Sequence, residues 1–246
     1  MRTKLAYLST FTLSVLGLCS FSAVNVAYAT TLFPVERTCP VGGEQYQSVE
    51  VGSTSQFGVR LDLRPLGPAA YLLWTECPNG FVVFKDEATF TEEEIAMLTP
   101  VVASAEYQRM RAEHMTAYRA VYLRRSLGES SADLAWLILR AAWEAEDLAT
   151  EDQAMEGLRQ AYLEEAYDAF IARAETRVTH DDEWWSALLL AAEIERQRYH
   201  FNESLELLEA LPVAELASDD IKHQVIAQIR AHATEANAEP TAYEGN

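Results

Sequence analysis

Cys39 and Cys77 are the residues of this sequence best suited to covalent or metal chemistry. Each opens a short turn, Cys39-Pro40-Val41-Gly42-Gly43 and Cys77-Pro78-Asn79-Gly80-Phe81. Two sulfurs can bond to each other or supply half of the four ligands that a structural zinc ion takes. His114, His180, His200, His223 and His232 are scattered through the second half of the chain without ligand spacing, so no metal and no other cofactor is expected. No G-x-S-x-G elbow, H-E-x-x-H helix, P-loop, dinucleotide fingerprint or calcium loop occurs, and no catalytic residue is assigned. Glu113-His114 reads as a solvated helical pair rather than an acid and base. His180-Asp181-Asp182 stands at a helix entrance, where the carboxylates suit the positive end of the macrodipole; metal binding there is the weaker reading. Aromatic residues on amphipathic helices usually belong to the core. Trp184 and Trp185 are nonetheless the candidate peptide-binding residues, because neighbours on a helix cannot both face one core direction.

The chemistry open to the cysteines depends on the compartment. Arg2 and Lys4 precede an apolar run from Leu5 to Val26, and Ala27-Tyr28-Ala29 is an A-x-A cleavage site. Residues 1–29 therefore read as a Sec-type signal peptide, predicting a mature periplasmic chain that starts at Thr30 and has no stable membrane insertion. A permanent anchor fits less well, since the run carries Ser, Thr and Asn25. Leu18 before Cys19 also argues against lipoprotein processing. Of the three cysteines, Cys39 and Cys77 survive cleavage. In an oxidising compartment they suggest one disulfide, worth about 3 to 4 kcal/mol, the alternative being two separate buried thiols. The formal net charge of −19 becomes more negative still once Arg2 and Lys4 are removed. Such a chain repels phosphate backbones, so no nucleic acid is expected as a partner.

The elements that must position these residues change character along the chain. Residues 30–90 are rich in turns and β-formers, residues 91–236 read as consecutive helices, and 237–246 read as a disordered, frayed tail. In the head, Phe57, Val59, Leu61 and Leu63 alternate with Gly58, Arg60 and Asp62, which predicts a half-buried strand. Tyr71–Thr75 and Phe81–Phe84 predict two more strands, and 64–68 a loop between them. Thr91 with Glu94, Ser130 with Asp133, Thr150 with Gln153 and Thr179 with Asp182 are helix-start signals. Helices are predicted near 91–99, 104–127, 131–147, 151–175, 182–198, 202–211 and 218–234, with Pro100, Gly128 and Pro212 at stops or restarts. The fold class is thus α+β and mainly α. In the 184–212 segment, Ala191 and Ala192, then Tyr199-His200-Phe201, then Ser204, Leu208, Leu211 and Pro212 resemble a tetratricopeptide repeat.

The whole order of motifs resembles an uncharacterised bacterial domain-of-unknown-function family, in which a head with two CPxCG-type zinc knuckles precedes a tetratricopeptide-like tail. The two cysteine turns carry this likeness together with Asp62-Leu63-Arg64-Pro65-Leu66-Gly67-Pro68, Gly80-Phe81-Val82-Val83-Phe84, Thr91-Glu92-Glu93-Glu94-Ile95, Ser104-Ala105-Glu106-Tyr107-Gln108 and the repeat near Trp184. Each knuckle here lacks its second cysteine, so zinc is not carried over. The resemblance instead implies a zinc-ribbon-like head in which Cys39 and Cys77, whose counterparts would lie about 3.8 Å apart on one metal, are joined covalently. The expected function is a non-enzymatic protein- or peptide-interaction module with a tetratricopeptide-like body. The alternative is an enzyme of unfamiliar type with a site between head and body near Asp62, Arg64 and Trp74. A structural or stress-related envelope protein is a third reading.

Overall fold

The computed structural model describes residues 31–67, 74–149, 153–177, 181–217 and 220–245. The signal-peptide residues, Tyr71–Leu73, Thr150, Thr179 and His180 lie outside them, with the expectations attached to each. The fold is α+β and mainly α. Strands β1 (Thr31–Thr38) and β2 (Gln45–Ser53) form an antiparallel hairpin. Two small antiparallel pairs follow: β3 (Gly58–Val59) with β4 (Pro65–Leu66), and β5 (Thr75–Glu76) with β6 (Val82–Val83). Then come α1 (Glu92–Ala103), α2 (Ala105–Glu113), α3 (Thr116–Ser126), α4 (Ser131–Ala149), α5 (Gln153–Glu175), α6 (Asp182–Gln197), α7 (Phe201–Ala210) and α8 (Ile221–Thr234). Among the described residues no helix is long and apolar enough to cross a membrane.

The two cysteine turns are built alike. Cys39 N donates to Glu44 O at 2.9 Å and Cys77 N to Phe81 O at 2.9 Å. Each turn needs a left-handed glycine, Gly42 at φ 101° and Gly80 at φ 90°. The turns face each other: Cys39 and Cys77 form a disulfide with Cα atoms 5.7 Å apart, and Asn79 Nδ2 donates to Val41 O at 2.6 Å. Both sulfurs are spent in that bond, so the head does not fit a zinc ion. Among the described residues no group of His, Cys, Asp or Glu side chains converges to hold a metal. The head does not stand apart from the helices at residue 90. Cys39, Val41, Cys77, Phe81 and Val82 share one buried cluster with Leu98, Tyr107, Met110 and Leu123 of α1–α3.

Helix α1 starts in a reciprocal capping box, Glu94 N to Thr91 Oγ1 and Thr91 N to Glu94 Oε2. It runs through Pro100, rather than stopping there, with Leu98 and Val102 buried on either side. The predicted 104–127 helix is two helices. His114 and Met115 are extended between them, and the Tyr162 hydroxyl bonds His114 Nδ1 at 2.9 Å and accepts from Met115 N at 3.2 Å. From α3 onward each helix packs on the next, and α6 also meets α8. Small residues let α6 and α7 approach closely enough for Ser204 Oγ to reach Ala192 O at 2.7 Å.

Two stretches of the head and tail differ from expectation. The Phe57–Leu63 alternation is not a strand: after Val59 the chain turns tightly, with Arg60 N on Arg64 O and Leu63 N on Arg60 O. Leu63 takes φ 65° and is 42% exposed, whereas Leu61 is buried. Pro65 and Leu66, expected in a loop, pair with β3. Residues 237–245 are a docked segment, not a frayed tail. Leu61 N donates to Thr241 O at 3.0 Å and Tyr243 N to Val59 O at 2.9 Å, while fully buried Arg196 donates to the carbonyls of Asn237 and Glu239. The open edge of β3 and a buried guanidinium in need of acceptors hold it there.

Candidate functional site

The Arg60–Arg64 turn inserts between the ends of α4 and α6, and charge holds it there. Asp62 is 0% exposed and accepts from Arg60 Nε at 3.1 Å and Nη2 at 2.5 Å, Arg64 N at 3.1 Å, Trp143 Nε1 at 3.0 Å and Gln197 Nε2 at 3.2 Å. Arg60 also reaches Glu146 at 2.5 and 3.0 Å. Arg64 meets Glu146 at 3.0 Å, Asp147 at 2.5 Å and the carbonyl of Trp143 at 3.2 Å. Behind them Glu193 and Arg196, both fully buried, pair at 2.6 and 2.8 Å. Arg159 bonds Gln197 Oε1 at 2.8 Å and Glu156 at 3.1 Å.

Burial works to raise the Asp62 carboxyl, but the Arg60 charge and its hydrogen bonds, with those from Arg64 N and Gln197, outweigh it and hold the group below the usual range. For Glu193 the balance falls the other way: burial raises it despite Arg196 and Gln197. An aspartate accepting from five donors has no lone pair to offer a substrate proton, and arginine does not give up its own. The arrangement positions the turn rather than performing acid–base chemistry.

What the clasp positions is an apolar cavity of about 270 Å³. Val59, Leu61 and Leu63 of the turn form one wall, Leu189 and Leu190 of α6 another, and Ile221 and Val225 of α8 a third, with Tyr243 of the docked tail closing the end. Tyr243 is fixed by its hydroxyl on Gln224 Oε1 at 2.7 Å, and Gln228 brackets Glu244 from both sides. At the rim, Lys222 Nζ lies 3.0 Å from Asp182 and 3.3 Å from Asp220. Leu63 and Ile221 stand exposed beside them. Such a surface can desolvate an apolar group, at about 1.5 to 3 kcal/mol for a large aliphatic or aromatic side chain.

No family model, curated protein or solved structure matches this chain.

The residues singled out in the sequence are only partly brought together. Asp62 and Arg64 share the clasp. Trp74 sits in a separate polar hollow with Arg37, Lys85 and Arg140, its indole donating to Glu144 and the Arg140 guanidinium 3.9 Å from its ring centroid. Burial raises the Glu144 carboxyl there. Trp185 is 3% exposed within the cluster that also holds Leu61, Leu208 and Ile229, and Trp184 packs against two clusters. Their rings meet edge-to-face at 5.4 Å, and neither lines the cavity between the Arg60–Arg64 turn, α6 and α8. Glu113 pairs with Arg109 at 3.4 Å while His114, lowered by burial, turns to Tyr162. His200 Nδ1 lies 2.6 Å from Glu195. Asp181 caps α6 through Trp184 N at 2.7 Å. The period-two alternation puts Leu61 and Leu63 on one strand face and so hides the cavity walls they form. The available signal was Ile221 and Val225 on one face of α8, four residues apart, with Tyr243 ahead of the end.

Proposed function

We propose that this chain is an exported, periplasmic binding module without catalytic activity, which takes an apolar group of a peptide or protein partner into the cavity between the Arg60–Arg64 turn, α6 and α8. The observation that carries this reading is the open apolar cavity beside a carboxylate network whose acceptors are filled. The buried aspartate and arginines that could have formed an active site instead fix a wall of a binding site. On this reading the helical body is tetratricopeptide-like. The turn Tyr199-His200-Phe201 and the Ser204–Ala192 approach support that. The head is a zinc-ribbon-like unit whose metal staple has been exchanged for a covalent one, which the paired cysteine turns support. Export is supported by the basic start, apolar run and A-x-A triplet of residues 1–29.

The test uses 1-N-phenylnaphthylamine, an uncharged apolar dye that brightens when taken out of water. Saturable binding is expected, weakened by Val225→Phe, which narrows the cavity. Binding that Val225→Phe leaves unchanged would place the dye elsewhere and refute the reading. Intact mass of exported protein tests the remainder: a chain beginning at Thr30 that gains two hydrogens on reduction is expected.

A further inference from the structure

The cavity itself is silent on what carries the apolar group into it, but its rim is not. The mouth opens at the N-terminal ends of α6 and α8, where exposed backbone N–H groups ordinarily favour an anion. Each of those ends already carries one of the chain's own carboxylates as its cap: Asp181 accepts from Trp184 N at 2.7 Å and Asp220 from Lys222 N at 2.9 Å. Lys222, the ammonium at the mouth, lies between Asp182 and Asp220, so the trio carries a net negative charge. Asp182 is also 93% exposed at its side chain, which leaves most of its carboxylate facing solvent. Arg60, which also lines the cavity, is spent on Asp62 and Glu146. An entering carboxylate or phosphate would meet the carboxylates that cap both helix ends and Asp182 beside them, whereas a cation would meet Asp182 directly. The overall charge of −19 attracts cations from a distance as well.

Resting on the cavity reading above, we propose that the occupant is a basic segment of another protein: an apolar side chain that enters among Leu61, Leu190 and Val225, flanked by lysine or arginine side chains that pair with Asp182 at the rim. The apolar anchor supplies affinity and the flanking cations supply selection, because rim charges in water act mainly on encounter and discrimination. Leu63, held exposed beside the mouth, gives the flanking backbone an apolar shoulder to lie on.

Two short synthetic peptides test this, each with a central leucine–phenylalanine pair, flanked in one by lysines and in the other by glutamates. Binding is measured by titration calorimetry on the full mature protein at low ionic strength and at about 0.5 M salt. The lysine peptide should bind at least fivefold more tightly at low salt, with the gap closing at high salt. Val225→Phe should weaken it at least tenfold. Asp182→Asn, at an exposed side chain, should narrow the preference by weakening the lysine peptide alone, with the glutamate peptide bound no less tightly than before. Equal binding of both peptides, lost together in Val225→Phe, would overturn the basic partner and leave the cavity reading standing. So would dye binding with neither peptide bound. Lysine-peptide binding that Val225→Phe does not weaken would show charge attraction without the anchor and overturn the inference. Failure of the dye itself to bind would instead remove the reading beneath it.

Discussion

The head is fastened to the helices at two places by opposite kinds of chemistry. At the cysteine turns the head is closed on itself by one disulfide and held to the helices by apolar packing, with Val41, Phe81 and Val82 in the same cluster as Leu98, Tyr107 and Leu123. At the Arg60–Arg64 turn it is ionic, with Asp62, Arg60, Arg64, Glu146 and Asp147 joined by short contacts in a mostly buried place. Covalent closure acts largely on the unfolded chain and tolerates small shifts of its surroundings. A buried ionic network gives little net stability against apolar residues of like volume, yet it is severely penalised when one member is lost. The first fastening therefore suits a part that need only stay attached. The second fixes one wall of a cavity in register with α6 and α8.

Removing Asp62 should break the comparison most sharply. Asp62→Ala leaves Arg60 buried with only Glu146 and strips acceptors from Trp143, Gln197 and the Arg64 N–H. A loss of about 3 to 5 kcal/mol is expected from urea unfolding. Phenylnaphthylamine binding should disappear even where the protein remains folded, because the turn no longer holds Leu61 and Leu63 in place. The same residue sets a pH dependence. Its folded carboxyl titrates below its unfolded value, so its contribution is complete above about pH 4 and is lost as pH falls through the lower folded value. The stability gap between the parent chain and Asp62→Asn should therefore be constant above that pH and shrink below it. A gap that widened in acid would mean that burial, not Arg60, dominates the site.

Exchanging both Cys39 and Cys77 for serine should cost somewhat less, about 3 to 4 kcal/mol by loop entropy, with a different signature. The unfolding midpoint falls, but dye affinity measured well below that midpoint stays within about twofold, because the walls of the cavity are held by the other fastening. If the serine variant loses dye binding as Asp62→Ala does, the two places are one cooperative unit and the contrast fails.

The same contrast explains what could be read from the sequence. The disulfide and the turns around it were legible because the signal lies in local chemistry: two cysteines, each followed by proline and a glycine that adopts positive φ. The capping pair Thr91–Glu94 and the apolar helix faces were legible for the same reason. The ionic fastening was half legible. Asp62 and Arg64 could be suspected together, but Glu146, Gln197 and Glu193 reach them from far along the chain, and no local pattern carries those separations. The period-two alternation at 57–63 was misleading because an alternating pattern also fits a turn that buries Leu61 and extrudes Leu63. The ordered tail was illegible because it exists only where β3 offers an edge and Arg196 needs acceptors. Trp185 packs into one cluster and Trp184 lies half-buried between two, because α6 stands between them, and that placement has no local signal.

Leu63 gives the smallest expected effect and the one that bears most directly on use. A leucine at φ 65° with 42% of its surface in water neither suits its backbone nor completes a core. A left-handed residue with a branched side chain costs about 1 to 2 kcal/mol, and asparagine bears that conformation more readily. Leu63→Asn should therefore raise stability by up to about 1 kcal/mol while weakening dye and lysine-peptide binding a few-fold, since the rim loses its apolar shoulder. Strain that is relieved at the expense of binding is strain retained for a site. Unfolding and calorimetry on the one variant decide it. A gain in stability without loss of affinity would make Leu63 a tolerated irregularity of the turn, and the functional weight would then rest on Leu61, Leu190 and Val225 inside the cavity.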